Sequence, residues 1–169
     1  MAGFFVYFKI FDIIDKMIEI NNLTNFAVDK KSFSQVAKKV LSGENRGTET
    51  ISLAFVNKGE IKNLNKKYRR KNKPTDVLSF LLDEKKCLGE IIICPEIVKE
   101  NVPIATRQSR ILDGKAVGTK KYKSDFEREM MKVFIHGILH LCGYNHEKSK
   151  KEAQKMENKQ NTYLLNINF

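Results

Sequence analysis

The sequence lacks the features of a secreted, disulfide-bonded or membrane-spanning chain. Its three cysteines, Cys87, Cys94 and Cys142, are odd in number, and no two of them form a CxxC motif. This argues against a disulfide framework and a cysteine-rich zinc site, so we expect small, buried thiols in a reducing compartment. No stretch reaches the roughly 18 uncharged apolar residues that a membrane span requires.

We also expect no secretory leader. The apolar segment 4–20 is interrupted by five charged residues, Lys9, Asp12, Asp15, Lys16 and Glu19. No small-residue cleavage pattern follows this segment. We therefore expect a cytoplasmic protein that has no membrane partner.

Acidic residues are few relative to basic ones. The 169 residues include 31 Lys and Arg against 20 Asp and Glu, for a formal net charge of +11. Such an excess favours polyanionic partners such as nucleic acid. However, 25 of the basic residues are lysines, and a compositional bias toward lysine explains the total equally well. The placement of the charge is therefore more informative than its sum.

The hydrophobic pattern predicts one α+β domain over residues 1–169. Its length and its 41% hydrophobic content suit a single core. We predict strands at 4–14, 51–56, 77–82 and 88–94, with the last two forming a hairpin. Helices are predicted at 32–41, after Asn57, at 95–100, after Ser124 and at 147–165. Residues 101–123 have no sustained period and predict a flexible surface loop. Because βαβ alternation is irregular, we expect a small mixed β-sheet of about four strands with helices packed on it.

All three histidines of the chain lie within eleven residues, as His136, His140 and His146. The first two are four residues apart, so on a helix their rings project from one face. Gly143 stands where that helix should end, and the chain can then return His146 toward the other two. Three imidazoles with an open fourth position are typical of a catalytic zinc site, which we expect at the end of a central helix. Cys142 as a fourth, structural ligand is the alternative, although its side chain should point away from His140.

The spacing HxxxHxxGxxH equals that of the metzincin proteases, with one decisive difference. Those enzymes have a glutamate general base directly after the first histidine. Here that position is Gly137, which cannot transfer a proton. Peptide hydrolysis by that mechanism is therefore not expected.

A second cluster of charge lies between residues 58 and 73. It holds eight basic residues and one acid, Glu60, whereas a solvated helix face usually mixes signs. Arginine is scarce in the chain, with six in all, yet Arg69 and Arg70 are adjacent. Guanidinium groups bind phosphate oxygens in a bidentate manner. We therefore expect phosphate groups to be contacted by Lys66, Lys67, Arg70 and Lys73.

Three motifs, in order, resemble the YbeY family of bacterial endoribonucleases that mature ribosomal RNA. The segment 65–80, NKKYRRKNKPTDVLSF, is similar to the family signature NxxYRxKDxPTDVLSF. LGEI at 88–91 resembles the family's LGDI strand, and 136–146, HGILHLCGYNH, resembles its zinc motif HGxLHLxGYDH. The chain departs from the family at Asn72 and Asn145, where aspartate is usual, and at Gln160, where we expect glutamate. The loop 101–123 is also longer than is typical.

The resemblance implies one Zn²⁺ per chain at the three histidines and a catalytic role for Arg69 at the scissile phosphate. It further implies a single-strand endoribonuclease that acts on ribosomal RNA of the small subunit, at the 16S 3′ end and in ribosome quality control, without a small-molecule cofactor. Two alternatives stay open at this point. One is a zinc-stabilised RNA-binding assembly factor that does not cut, and the other is a zinc hydrolase of a non-RNA substrate.

Overall fold

The computed structural model describes residues 17–84, 86–102 and 124–166. At its centre is a four-stranded sheet in the order β1-β2-β4-β3. The strands are β1 (Ile18–Asn22), β2 (Thr50–Phe55), β3 (Val77–Glu84) and β4 (Cys87–Ile93). Strands β1, β2 and β4 run parallel, and β3 pairs with β4 in the antiparallel direction. This confirms the mixed sheet and the β3–β4 hairpin that the sequence predicts.

Five helices accompany this sheet in the described part of the chain. They are α1 (Lys30–Gly43), α2 (Lys58–Arg69), α3 (Pro95–Asn101), α4 (Asp125–Leu141) and α5 (Lys150–Asn166). The capping residues predicted from sequence start α2 and α4. Asn57 and Glu60 form a reciprocal capping box, and the Ser124 hydroxyl accepts from the Glu127 N–H. Among the helices described, none is long and apolar enough to cross a bilayer.

Helix α4 lies across one face of the sheet and supplies much of the core. Its side chains Phe134, Ile135, Ile138 and Leu139 are fully buried, and α1 packs beside it on the same face. The helix approaches β4 closely at Gly137, where a Cβ atom would lie 2.9 Å from Cγ2 of Ile91. Contact at this glycine fixes the height and rotation of α4, and therefore the side to which its histidines point.

Helix α2 covers the opposite face of the sheet with a smaller core. Its Ile61 packs against Ala54, Leu78 and Ile92, whose side chains alternate with those that face α4. Only Ile61 and Asn65 of α2 are buried, so most of the helix surface faces solvent. The basic residues at its carboxyl end are therefore available to a partner.

The structure differs from the sequence predictions at three places. The strand predicted at 4–14 lies outside the described residues, and the described sheet starts with β1, which the pattern did not predict. The last helix begins at Lys150 instead of 147, because the Ser149 hydroxyl caps it by accepting from the Glu152 N–H. Of the predicted loop 101–123, Asn101 ends α3 and residues 103–123 lie outside the described residues.

Candidate metal centre

The three histidines converge at the carboxyl end of α4. The Nε2 atoms of His136 and His140 are 3.1 Å apart. The ring centroid of His146 lies 5.1 Å from that of His136 and 5.0 Å from that of His140. One ring nitrogen from each histidine lies within 4.8 Å of the others. The structure thus brings together the three residues that the sequence assigns to a metal ion.

A tight turn after α4 makes this convergence possible. Gly143 has a φ of +94°, a conformation that residues with a side chain rarely adopt. The N–H groups of Gly143 and Tyr144 donate to the carbonyls of His140 and Leu139, which closes the helix. The glycine therefore serves as the helix terminator that the sequence predicts, and the chain reverses toward the other two rings.

Hydrogen bonds on the far side of the rings set which nitrogen faces the centre. The Nδ1 of His140 lies 2.9 Å from the main-chain carbonyl of Tyr144, and the Nδ1 of His136 lies 3.0 Å from Oε1 of Gln160. Since both oxygens are acceptors, each Nδ1 carries the proton and donates it, and each Nε2 presents a lone pair. This is the usual arrangement behind metal-ligating histidines.

The donor set fits a zinc ion. In a tetrahedron with Zn–N bonds of about 2.0–2.1 Å, neighbouring ligand nitrogens are about 3.3 Å apart. The separation of 3.1 Å between the Nε2 atoms of His136 and His140 is close to that edge length. Two lone pairs at this distance repel each other, and a cation bound between them would remove that repulsion.

Burial keeps the two helical histidines in the form that binds metal. It lowers the pKa of His140 to about 4, and the neighbouring ring of His136 adds to this shift. Burial also lowers the pKa of His136, against the opposing effect of the Gln160 hydrogen bond. Both rings are consequently neutral at pH 7, and a metal ion does not have to displace a proton from them.

Cys142 does not complete the centre as a fourth ligand. The cluster of ligand atoms within the described residues contains the three histidines and no thiol. Burial raises the pKa of Cys142 to about 11, which disfavours the thiolate form that binds metal ions. Three imidazoles leave one coordination position open, as in catalytic zinc sites.

Gly137 has no room for the glutamate found there in metzincins. A Cβ atom at this position would lie 2.9 Å from Cγ2 of Ile91 and 3.1 Å from the hydroxyl of Ser79. A side chain would therefore collide with the sheet before it reached the histidines. The absence of a general base at this position is consistent with how α4 packs, and with the expectation that this is not a peptidase of that type.

Arg69 at the end of α2 reaches the segment that carries the third histidine. Its Nη2 lies 3.1 Å from Oε1 of Glu147, the residue directly after His146. Both side chains remain substantially exposed, at 41% and 60%. The residue that the family resemblance marks as catalytic is therefore tied to the loop of the third histidine while its guanidinium stays accessible.

A buried asparagine holds the end of α2 in place. Asn65 is 2% exposed, and its amide Nδ2 donates to the carbonyl of Lys73 at 2.7 Å. Its main-chain carbonyl accepts from the N–H groups of Arg70 and Lys71. Arg70 itself adopts the left-handed conformation, with a φ of 58°. Asn65 thus fixes the turn from which Arg69 projects.

The remaining predicted RNA contacts form one exposed area at this end of α2. We call it the basic surface; it comprises Lys66, Lys67, Arg69, Arg70 and Lys73, all exposed. The ring of Tyr68 is 51% exposed within it and packs edge-on against Phe80. Lys58, at the other end of the basic run, is paired with Glu100 and does not join this surface.

The sequence pattern assigns no role to three residues of the centre. Glu147 and Tyr144 lie beside the ligands in the chain, but nothing in the pattern shows that they contact Arg69 and His140. Gln160 stood out only as a departure from the family, and it proves to be the acceptor for His136. Asn145, another departure, retains an oxygen acceptor, which receives the Glu147 N–H at 2.9 Å.

Comparison with known proteins agrees with the motifs. The model of the family described as Endoribonuclease YbeY matches residues 19–110 and 114–168. A protein of that name from Thermotoga petrophila is 36% identical over 138 residues, covering 82% of this chain and 77% of the relative. One from Persephonella marina is 32% identical over 160 residues, covering 91% and 94%. A solution structure from Thermotoga maritima superimposes with a TM-score of 0.55 at 34% identity, covering 88% of this chain and 87% of that one.

Proposed function

The chain belongs to the YbeY family of hydrolytic endoribonucleases, and we propose that it cuts single-stranded ribosomal RNA with one zinc ion bound at His136, His140 and His146. The proposed substrate is RNA of the small ribosomal subunit, with the 16S 3′ end as the site of maturation. Removal of defective ribosomes would use the same activity, and no small-molecule cofactor takes part.

One observation carries this proposal: the histidine cluster and the basic surface meet at a single point. The ion pair between Arg69 and Glu147, at 3.1 Å, joins the end of α2 to the loop of His146. A phosphate that reaches the open position beside the histidines is therefore within reach of cationic side chains. A site for a small neutral substrate has no need of this arrangement.

Each group has a chemical task in RNA cleavage. A zinc ion held by three imidazoles supplies a Lewis acid with an open coordination position. Arg69 donates hydrogen bonds to the phosphate oxygens and stabilises the charge that grows on them in the transition state. The lysines of the basic surface hold the backbone by releasing counterions, and the exposed ring of Tyr68 offers a stacking partner for an unpaired base.

The test is cleavage of labelled ribosomal RNA by the zinc-loaded protein, followed by mapping of new ends. We expect discrete new ends with the wild type and none with His136→Ala, whose zinc content should fall well below one per chain. If zinc and RNA both bind but no new ends form, the chain is a non-cleaving assembly factor. If the protein neither binds nor cuts RNA, the remaining alternative is that it hydrolyses another substrate.

A further inference from the structure

A nearly buried carboxylate lies behind the metal centre and joins three parts of the fold. Glu44 follows the end of α1, and its side chain is 9% exposed. Its carboxylate accepts from the hydroxyl of Tyr144 at 2.8 Å, from Nζ of Lys159 at 2.9 Å and from the hydroxyl of Tyr163 at 2.6 Å. A buried charge is costly unless it is satisfied, and three donors satisfy this one.

The two oxygens of this carboxylate serve different elements. Oε1 accepts from Lys159 and Tyr163, both on α5. Oε2 accepts from Tyr144, in the turn between the second and third ligands. Gly43 leaves space for the first of these connections, since a Cβ there would collide with the Tyr163 hydroxyl. One oxygen therefore fastens α5 to α1, and the other fastens the ligand turn to α1.

Tyr144 relays this attachment to the metal centre. Its hydroxyl is fixed by Glu44, and its main-chain carbonyl accepts from Nδ1 of His140 at 2.9 Å. Tyr144 also lies two residues before His146, directly after Gly143 in the turn that ends α4. A shift of Tyr144 would move the acceptor of one ligand and the backbone of another together.

We propose that Glu44 is a positioning residue of the metal centre, which acts through Tyr144 to orient His140 and to hold the turn that presents His146. The proposal rests on the proposed metal site, although not on RNA as the substrate. If Glu44 served only to join α1 to α5, its bonds to Lys159 and Tyr163 would be sufficient. The additional bond to the ligand turn would then have no purpose.

The experiment compares Tyr144→Phe with Tyr163→Phe, since each change removes one hydroxyl donor to the same carboxylate. The affinity for Zn²⁺ alone is measured by competition with a chromophoric chelator, and the thermal unfolding of the metal-free protein is measured in parallel. We expect Tyr144→Phe to lower the zinc affinity about tenfold, as is usual for groups that orient a ligand. Tyr163→Phe should lower the unfolding temperature and leave the zinc affinity within about twofold of the wild type, because its hydroxyl does not touch the ligand turn.

Further variants test whether the effect passes through Glu44. Glu44→Gln should lower zinc affinity as Tyr144→Phe does, and the double variant should be no weaker than either one alone. Gly43→Ala should behave like Tyr163→Phe. The proposal is overturned if Tyr144→Phe keeps wild-type zinc affinity, or if Tyr163→Phe loses as much. If the expected pattern holds but no RNA is cut, Glu44 keeps its role and only the proposed reaction fails.

Discussion

Nη2 of Arg69 lies 3.1 Å from Oε1 of Glu147, so the last residue of α2 contacts the residue that follows the third histidine. These residues are 78 positions apart in the chain. The contact gives the arginine a fixed partner without burying it. An approaching phosphate would have to share or replace that partner, because both bind the same guanidinium.

Replacing Arg69 should affect the reaction more than binding. If its guanidinium meets charge that grows only in the transition state, Arg69→Ala should lower the cleavage rate by about 10² to 10³. Zinc content should stay at the wild-type level, since Arg69 is not a ligand. Arg69→Lys should restore little, because an ammonium lacks the bidentate fork. Single-turnover cleavage and equilibrium RNA binding, measured on the same variants, separate the two effects.

The neighbouring Arg70 provides the control for this comparison. It is also exposed and lies on the same basic surface, but it has no ion pair with the ligand loop among the described residues. Arg70→Ala should reduce RNA affinity modestly, and it should reduce the cleavage rate of bound RNA even less. Equal losses in binding and cleavage for Arg69→Ala would mean that this arginine only tethers the RNA.

Removing the carboxylate of Glu147 should strengthen RNA binding. In Glu147→Gln the phosphate no longer competes for Arg69, and exposed ion pairs of this kind are worth up to about 1 kcal/mol. We expect a gain of up to about fivefold in RNA affinity, measured by fluorescence anisotropy. In an Arg69→Ala background the gain should largely disappear. A gain of the same size in both backgrounds would instead reflect general charge repulsion.

Salt dependence should report on the lysines of the basic surface. If Lys66 and Lys67 bind phosphates, RNA affinity should fall steeply as salt rises. Removing one phosphate-binding lysine should reduce the slope of log K against log salt by about 0.7 to 1. The ion-paired Lys58 is a suitable control, because its charge is already neutralised by Glu100. The slope should be unchanged in Lys58→Ala, and an unchanged slope in the Lys66→Ala, Lys67→Ala variant would place the RNA on another surface.

Gln160 should influence zinc affinity through His136. Gln160→Met removes the acceptor of the Nδ1 proton at little change in volume, and we expect a loss of zinc affinity of about 10- to 100-fold. Gln160→Glu supplies a charged acceptor and should bind zinc at least as tightly as the wild type. Chelator competition at pH 7 measures both. Wild-type affinity in Gln160→Met would show that the packing of α4 alone orients His136.

The metal-free protein should lose stability in mild acid because of His140. Its pKa is about 4 in the folded chain against a usual value of 6.5, so between these values the unfolded chain binds more protons. The free energy of unfolding should therefore fall as the pH falls from about 6.5 to 4, and His140 should contribute no slope above that window. Urea unfolding in the presence of a chelator measures this.

A neutral replacement of the same histidine tests the assignment. His140→Gln should show a shallower loss of stability between about pH 6.5 and 4. Glu44 overlaps this window only at its acid end, because burial raises its pKa less than the donors Tyr163, Lys159 and Tyr144 together lower it. The contribution of Glu44 to the pH dependence of stability is consequently confined to pH values below its usual pKa of 4.5. An equal slope in His140→Gln would assign the acid sensitivity to other groups.

The fold was largely predictable where local chemistry decides it. The capping residues Asn57 and Ser124 start their helices as the sequence predicts, and the runs at 77–82 and 88–94 pair as a hairpin. Strand β1 was not predicted, because Ile18–Asn22 is short and partly polar and gains its place by pairing with β2. Such pairing depends on residues far along the chain, which periodicity cannot report.

The site, like the fold, was predictable only where residues close in the chain determine it. The spacing of His136, His140 and Gly143 predicts the ligands, since one helix and one turn bring them together. The groups behind these histidines could not be predicted from spacing. Gln160 reaches His136, and Glu44 reaches Tyr144, only because α5 and α1 pack against α4. The charge pattern of the sequence likewise places Lys58 in the basic run, whereas in the structure Glu100 on α3 forms an ion pair with Lys58 and neutralises its charge.

The hydrogen bonds of Glu44 have a consequence for the order in which the protein is made. Its partners Tyr144 and Tyr163 lie 100 and 119 residues further along the chain, so these contacts close very long loops and form late in folding. The ribosome adds Gln160 and Tyr163 after the three histidines. The candidate ligands are therefore present in the chain before their partners on α5, and their full set of hydrogen bonds forms only when α5 docks.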